Sequence, residues 1–311
     1  MTLILPGGIK LLKKICALAA LLNGAVAFAQ ITEQDVSKLY SESGFQKACV
    51  FSINNSLDSA LFYVLESTNF DHMKEVIMVH PDLQNLRGDS VKWAHIQAKL
   101  YAKYLAENPD ITKPKIGFEL LKIYADDQKN RSLHNFMQIG YGDKKENFSI
   151  EQHNIDKKNR IERIEQIIDN YGWLGYSEVG EKPANAIFFV IQHSYPEDNL
   201  LEKYLPLLIE LALKNEASKV NAAKMIDRYL YRKKGVQIYG TQTVCKTIKK
   251  ARNCELVSVL DERGLNERRS KLGLEGIEIA CRKLGFEYQR TEKNKKIKKK
   301  YCKMKFLDII K

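Results

Sequence analysis

The sequence predicts a mainly α-helical protein: a helical-repeat-like N-terminal part packed on a multi-helix domain with one β-hairpin. Three observations support this fold class. Glycine and proline are sparse, with 17 and 7 residues among 311, so few positions interrupt helices. Apolar residues recur at spacings of three and four, as on the buried face of a helix. The period changes to two only within residues 236–259, where it predicts strands.

The first segment, residues 1–29, has the pattern of a cleavable secretory signal peptide. Basic residues up to Lys14 precede an apolar run over 15–22, and Ala27 and Ala29 form an A-x-A cleavage site. We therefore expect a secreted or periplasmic protein, cleaved after Ala29. No later apolar run is long enough to span a bilayer, so we expect no transmembrane segment in the mature chain.

Residues 30–110 are predicted to form paired helices, over 56–66 and 91–107. Between them, His80-Pro81-Asp82-Leu83 and Leu86-Arg87-Gly88-Asp89 match the end unit of a tetratricopeptide repeat, and this segment resembles a degenerate unit of that kind. The resemblance implies a groove for a protein or peptide partner on the N-terminal helices. Because a single helical repeat cannot bury its own face, the segment should pack on the domain that follows.

A polar linker over 108–114 separates this segment from a second domain, predicted over 115–286. Helical spacing predicts five helices in its first part, over 116–137, 151–171, 182–193, 198–213 and 218–233. Gly235 is the expected stop of the fifth. Strands over 236–245 and 254–259 follow, joined by a loop over 246–253, and a last helix is predicted over 266–284.

The net charge of +12 is concentrated in a basic C-terminal tail, residues 287–311. From Arg290 onward there are ten Lys or Arg residues and two acidic ones, whereas the mature chain before that point is close to neutral. Such a tail either touches anionic surfaces or is a solvated segment that aids solubility. Its scarcity of aromatic residues argues against a specific nucleic-acid partner.

Five cysteines follow the predicted cleavage site. Because the exported compartment permits disulfides, we predict a bond between Cys245 and Cys254, which face each other across the predicted hairpin. Cys281 and Cys302 form a weaker second pair. The absence of a CxxC motif excludes a zinc ribbon and a redox dithiol.

Four polar residues interrupt or end apolar helical stripes in the second domain: Asp127, Arg131, His193 and Asp227. Inward polar groups are costly unless they are paired. We therefore predict that these side chains meet, with Arg131 within salt-bridge distance of Asp227 or Asp127 and with His193 adjacent.

An ordered set of motifs accompanies these residues. It comprises Asp127-Gln128-x-x-Arg131, Asp156-x-x-Asn159, Gly172-Trp173, Val179-Gly180, Ile191-Gln192-His193, Asp227-Arg228, Gln237-x-Tyr239-Gly240-Thr241-Gln242 and Arg268-Arg269-x-x-x-Gly273-Leu274. Over about residues 116–274 the set resembles an uncharacterised bacterial domain-of-unknown-function family. The chain departs from that pattern at Trp173-Leu174 and at His193-Ser194-Tyr195. The resemblance implies a domain but no activity.

The segment around Gln237 is the candidate ligand-binding element. A period of two places Gln237, Tyr239 and Thr241 on one face of a strand, where they and Gln242 could read a polar ligand through hydrogen bonds. Gly240 on the opposite face would allow a close approach of backbone or ligand. The alternative is a structural brace whose amides satisfy helix ends.

Two functions remain open, and the sequence does not decide whether the protein is an enzyme. One is a non-catalytic module that binds a protein or ligand. The other is a small envelope hydrolase or lyase, with His193 as general base beside Asp127, Arg131 and Asp227. No nucleotide or metalloprotease motif occurs, and the histidines are not spaced as metal ligands to one another, so no cofactor or metal is expected. A solvent-open pocket would favour the enzyme, and a buried, mutually satisfied cluster would favour the module.

Overall fold

The computed structural model describes residues 43–67, 74–139, 150–194, 198–248 and 251–289. The predicted signal peptide, Cys302 and the basic tail beyond residue 289 lie outside the described residues, as does the side chain of Arg131. The described part is mainly helical with a single two-stranded antiparallel sheet, which confirms the predicted fold class. Within it, no helix combines the length and the apolar character needed to cross a membrane.

Helices α1 to α9 make up the first part of the described chain. They are α1 Ser43–Ile53, α2 Leu57–Leu65, α3 Lys74–Val79, α4 Gln84–Gly88, α5 Ser90–Glu107, α6 Pro114–Ile139, α7 Ile150–Tyr171, α8 Tyr176–Val179 and α9 Glu181–Gln192. A short 3-10 helix, Pro81–Leu83, precedes α4.

The remaining elements contain the sheet. They are α10 Asp198–Leu213, α11 Lys219–Lys234, β1 Thr243–Ile248, β2 Ala251–Leu256, α12 Leu265–Lys271 and α13 Ile277–Lys283. The chain divides into two compact units. The first holds the described residues up to Arg160 together with Ser177–Ala186, and the second holds Ile161–Tyr176 and the described residues from Ile187 onward.

The first unit is built on a continuous apolar core. α1 packs on α2, and α3 packs on α6. Fully buried members of the core include Ala48, Ala60, Val64, Ile77, Leu83, Leu86, Ile96 and Leu100. The Tyr104 hydroxyl of α5 donates to the carbonyl oxygen of Val179 at 2.7 Å, so α8 is fixed to the same core.

Local signals in the sequence set the ends of the helices. The Asp89 carboxylate accepts the N–H of Lys92 at 3.0 Å and caps the start of α5. The Ser218 hydroxyl accepts the N–H of Asn221 at 3.2 Å and caps α11. Gly235 ends α11 in the left-handed conformation, with φ of +68°, as its position predicted.

Three expectations for the C-terminal part were wrong. Residues 236–242 form a loop rather than a strand, and most of the expected loop over 246–253 belongs to β1 and β2. The last helix is broken into α12 and α13, because Gly273 adopts a φ of +74° and its N–H closes a turn on the Ser270 carbonyl. A small core contains Val259, Leu265, Ile277 and Cys281, and Leu256 of β2 packs against it.

Candidate functional site

The carboxylate of Asp227 is the centre of the candidate site in the second unit. It extends from α11 and is fully buried. Its Oδ1 accepts the backbone N–H groups of Ile238, at 2.7 Å, and Tyr239, at 3.0 Å. Its Oδ2 accepts the N–H of Thr241 at 2.9 Å and the Thr241 hydroxyl at the same distance. One side chain therefore satisfies three backbone amides of the loop that follows α11.

The charge state of Asp227 is set by opposing effects. Burial raises the pKa of its carboxyl above the ordinary value, and hydrogen bonds from Tyr239, Ile238 and Thr241 oppose that rise. Since three of its bound donors are backbone amides that cannot accept a proton in return, the contacts match the ionised carboxylate. Both oxygens are already engaged by the chain itself.

Two arginines of α12 bind the carbonyl groups of the same loop. Arg269, almost fully buried, donates from Nη1 to the Tyr239 oxygen at 2.6 Å and to the Gly240 oxygen at 3.2 Å. Arg268 donates from Nη2 to the Ile238 oxygen at 3.1 Å. Burial lowers the pKa of both guanidinium groups, and for Arg269 the main opposing influence is Asp227. We call residues 236–242 the clamped loop, because Asp227 holds three of its N–H groups and the two arginines hold three of its C=O groups.

Gln237 ties the clamped loop to the strand region. Its fully buried side chain donates from Nε2 to the Gln242 carbonyl at 2.9 Å and to the Val257 carbonyl at 2.7 Å. Its Oε1 accepts the Gln242 N–H at 2.7 Å. The primary amide therefore bonds as a peptide group of an added strand would. The backbone pairs with the segment over 257–260 only at the two ends of the loop, at Gln237 and Gln242. Between these ends side chains bind the backbone, so the alternating pattern does not continue as a strand.

The other predicted ligand-binding side chains lie in the same loop but not on one strand face. Tyr239 is fully buried, and burial raises the pKa of its hydroxyl. The Gln242 Oε1 accepts from Nε of Arg228 at 3.3 Å. Binding of an external ligand by these residues stays a prediction, but the structure already assigns many of their polar atoms to partners in the chain.

The four predicted cluster residues are divided between the units. Asp227 and His193 belong to the second unit, and Asp127 belongs to the first, where its carboxylate accepts from Gln128 Nε2 at 3.0 Å. His193 follows the end of α9, half-buried, with its ring against that of Phe189 at 5.8 Å. Because the side chain of Arg131 is not described, its pairing with either aspartate stays a prediction.

A hydrogen bond links the residue after Asp227 to the residue before His193. Arg228, the residue after Asp227, donates from Nη1 to the carbonyl oxygen of Gln192, the residue before His193, at 2.9 Å. The end of α9 is thereby joined to the middle of α11. The same guanidinium reaches Gln242, so Arg228 connects α9, α11 and the clamped loop.

The two strands carry the cysteines predicted to pair. Cys245 of β1 lies directly opposite Cys254 of β2, with Cα atoms 4.0 Å apart, and a disulfide joins them. Cys281 is a free, buried thiol among the described residues.

The first unit contains a cleft of about 210 Å³ between α3, α5 and α6. Its lining combines apolar and charged side chains: Met78, Val79, Trp93, Gln97, Leu100, Lys122 and Asp126. Sequence reasoning expected a groove on the N-terminal helices but named none of these residues, because the cleft forms only when three separate helices pack.

A second group in the first unit was also missed. Cys49, His80 and Asp82 place a sulfur, a ring nitrogen and a carboxylate oxygen within 4.8 Å of one another. The spacing of the histidines from one another could not reveal this group, because it contains only one histidine. Its cysteine, Cys49, lies 31 positions from His80 in the sequence. A search that combined cysteine, histidine and acidic residues would have singled out His80-x-Asp82.

Comparison with known proteins adds a family but no activity. The model of a family of unknown function (DUF6624) matches residues 114–293, more than half of the chain. No curated protein and no solved structure is significantly similar to the chain.

Proposed function

Since the chain belongs to this family of unknown function, we propose its function from its own residues: a non-catalytic, exported module that binds a peptide or protein segment. One observation carries the proposal. The buried carboxylate of Asp227, one of the four catalytic candidates, is fully engaged in holding the clamped loop. A general acid or base must instead reach a substrate proton.

The cleft of the first unit is the proposed binding surface. The half-buried Trp93 gives it an accessible apolar side chain, and aromatic side chains dominate binding energy at many interfaces. Its two charged side chains, Asp126 and Lys122, differ in whether they already have an ion-pair partner. Asp126 is paired with Arg160 at 2.6 Å. Lys122 has no carboxylate within salt-bridge distance among the side chains that the structure describes, and its ammonium lies 4.8 Å from the centre of the Phe118 ring.

This arrangement favours a segment with an apolar side chain next to an acidic one. The apolar side chain would contact Trp93, and the acid would pair with Lys122. Burial lowers the pKa of Lys122, which an incoming carboxylate would offset. The likeness of residues 45–89 to a tetratricopeptide-repeat end unit supports the same kind of partner.

Export is part of the proposal. The pattern of residues 1–29 supports a cleavable signal peptide, and the bond between Cys245 and Cys254 is of a kind that persists in oxidising compartments. Mass spectrometry of the secreted or periplasmic fraction should find a chain that begins at Gln30. An intact Met1 end in that fraction would overturn this part.

The binding proposal is tested by selecting peptides from a random display library on the mature protein. We expect enriched sequences to place Asp or Glu beside an aromatic or aliphatic residue. Lys122→Ala should weaken the selected peptide about tenfold, the equivalent of about 1.4 kcal/mol. Lys115→Ala is the matched control, because Lys115 is an exposed lysine of the same helix that does not line the cleft.

Two results would contradict the proposal. One is a library that enriches nothing on the native protein beyond what it enriches on Trp93→Ala. The other is hydrolytic or lyase turnover that disappears in a folded Asp227→Asn variant, because that would make Asp227 a catalytic residue.

A further inference from the structure

We propose that Cys49, His80 and Asp82 form a binding site for a zinc-class divalent metal ion in the first unit. The three residues offer thiolate sulfur, imidazole nitrogen and carboxylate oxygen, and these atoms lie within 4.8 Å of one another. Zinc accepts all three ligand types in proteins, whereas calcium and magnesium prefer oxygen alone. The proposed binding partner is therefore a borderline-soft ion, with zinc as the first candidate.

The separation of the two softer ligands fits a shared metal ion. Zinc binds sulfur at about 2.3 Å and imidazole nitrogen at about 2.0–2.1 Å, so tetrahedral angles place the two atoms about 3.5 Å apart. The Cys49 sulfur and the His80 Nδ1 are 3.7 Å apart. Only a small shift of either side chain would bring both within bonding distance of one ion.

His80 is held in place from several sides. Its backbone N–H donates to the Val76 carbonyl at 2.7 Å, and its own carbonyl accepts from Arg87 Nη1 at 2.7 Å. The Phe45 ring meets the imidazole edge-on at 5.3 Å between centres. A ligand fixed in this way loses little conformational freedom when a metal ion binds.

The tautomer of His80 also suits a metal ion. Its Nδ1 accepts the backbone N–H of Asp82 at 3.3 Å, so this nitrogen carries a lone pair rather than a proton. A metal ion would compete for that lone pair, and the hydrogen bond it weakens is already long. The carboxylate of Asp82 is brought to the same place by the turn that this bond closes.

The ligands can balance the charge of a divalent ion. On binding, Cys49 releases its thiol proton to solvent, and the resulting thiolate and the Asp82 carboxylate together neutralise two positive charges. The guanidinium of Arg87, which donates to the His80 carbonyl, is a nearby positive charge that works against binding of a cation. Three protein ligands leave a fourth position for water or an exogenous ligand, and the half-buried His80 and Asp82 give access to it.

Cobalt titration of the mature, metal-free protein tests the site, because Co²⁺ replaces zinc and reports thiolate ligation by a near-ultraviolet charge-transfer band. We expect one equivalent of Co²⁺ to produce the band and one equivalent of Zn²⁺ to abolish it. Cys49→Ser should remove the band. Cys281→Ser is the matched control, since Cys281 is also a free, buried thiol of the described chain, and it should leave the band unchanged.

Two further variants keep the proposal testable if Cys49→Ser fails to fold. Asp82→Asn and His80→Ala should each weaken Co²⁺ binding at least tenfold, while Asp58→Asn, an exposed acid of α2, should not. Zinc X-ray absorption should detect one sulfur neighbour with nitrogen and oxygen. A band that survives in folded Cys49→Ser, binding that Asp82→Asn and His80→Ala leave unchanged, or a zinc spectrum without a sulfur neighbour would each overturn the site.

Discussion

Removing the carboxylate of Asp227 should cost the second unit much of its stability. In Asp227→Ala the N–H groups of Ile238, Tyr239 and Thr241 lose their acceptor in a buried environment. A buried donor without a partner costs roughly 1–3 kcal/mol. Allowing for partial relaxation, we expect the three to cost about 3–5 kcal/mol together. That is a large part of the ~5–15 kcal/mol that stabilises a typical protein.

A more conservative substitution of Asp227 should lower the free energy of unfolding by less. Asp227→Asn can keep Oδ1 for Ile238 and Tyr239 but turns an NH₂ group toward the Thr241 N–H, so we expect a smaller loss of roughly 1–3 kcal/mol. Asp169→Ala is the matched control. Asp169 is an exposed aspartate near the end of α7, and its removal should change the free energy of unfolding by less than about 0.5 kcal/mol.

Thermal unfolding followed by circular dichroism measures these differences. At this chain length about 3–5 kcal/mol corresponds to a fall in Tm of about 5–8 °C. The reasoning fails if Asp227→Ala melts within a degree or two of the parent protein. It fails differently if the variant is stable but loses a binding or catalytic signal, because the carboxylate would then act on a ligand rather than on the clamped loop.

Three other predictions concern the backbone, pH and the disulfide. In a urea titration, Gly240→Ala should lower the free energy of unfolding by about 1–2 kcal/mol, because Gly240 has a φ of +70° and the added Cβ would lie 2.8 Å from Ile277 Cδ1. Gly88→Ala is the control and should change it little, since nothing lies within 4 Å of the added atom. Burial, then the nearby Arg160 and Lys157, lowers the pKa of His153, so its contribution to stability is complete above the ordinary histidine pKa and is lost as pH falls below it. His153→Gln should therefore flatten the change in Tm between about pH 7.5 and about pH 5.5, whereas the exposed His95→Gln should not, and equal slopes in both variants would contradict the assignment. Replacing Cys245 and Cys254 together by serine should lower stability by roughly 2.5–3 kcal/mol in the chain-entropy model; an unchanged urea midpoint would show that the cross-link does not limit the unfolded chain.

Regular elements could be predicted from the sequence because helical spacing and end signals act locally. α10 begins at Asp198 and ends at Leu213 as predicted, and Gly235 ends α11. The last predicted helix failed at Gly273. Its left-handed φ requires a glycine and breaks the backbone pattern, and apolar spacing alone does not register such a break.

The candidate site was predictable only in part. Apolar spacing correctly marked Asp227 as an inward polar residue. The pattern could not identify its partners, because they are backbone amides of Ile238, Tyr239 and Thr241 rather than a charged side chain. Every residue carries such an amide, so sequence offers no signal for which of them a carboxylate will bind. The approach of Cys49 to His80 is equally hidden, since it depends on how α1 packs against the turn before α4.

The clamped loop should be unusually intolerant of changes in length. Surface loops generally accept inserted or deleted residues, because their amides exchange one water partner for another. Here the order of bonds is fixed: Asp227 takes the N–H groups of Ile238, Tyr239 and Thr241, and Arg269 takes the carbonyls of Tyr239 and Gly240. One residue added between Ile238 and Thr241 would break this order, because the peptide groups on one side of it would no longer face their side chains. An epitope tag or a fused domain therefore belongs elsewhere in the chain, and relatives that keep this clamp should keep the number of residues in the clamped loop.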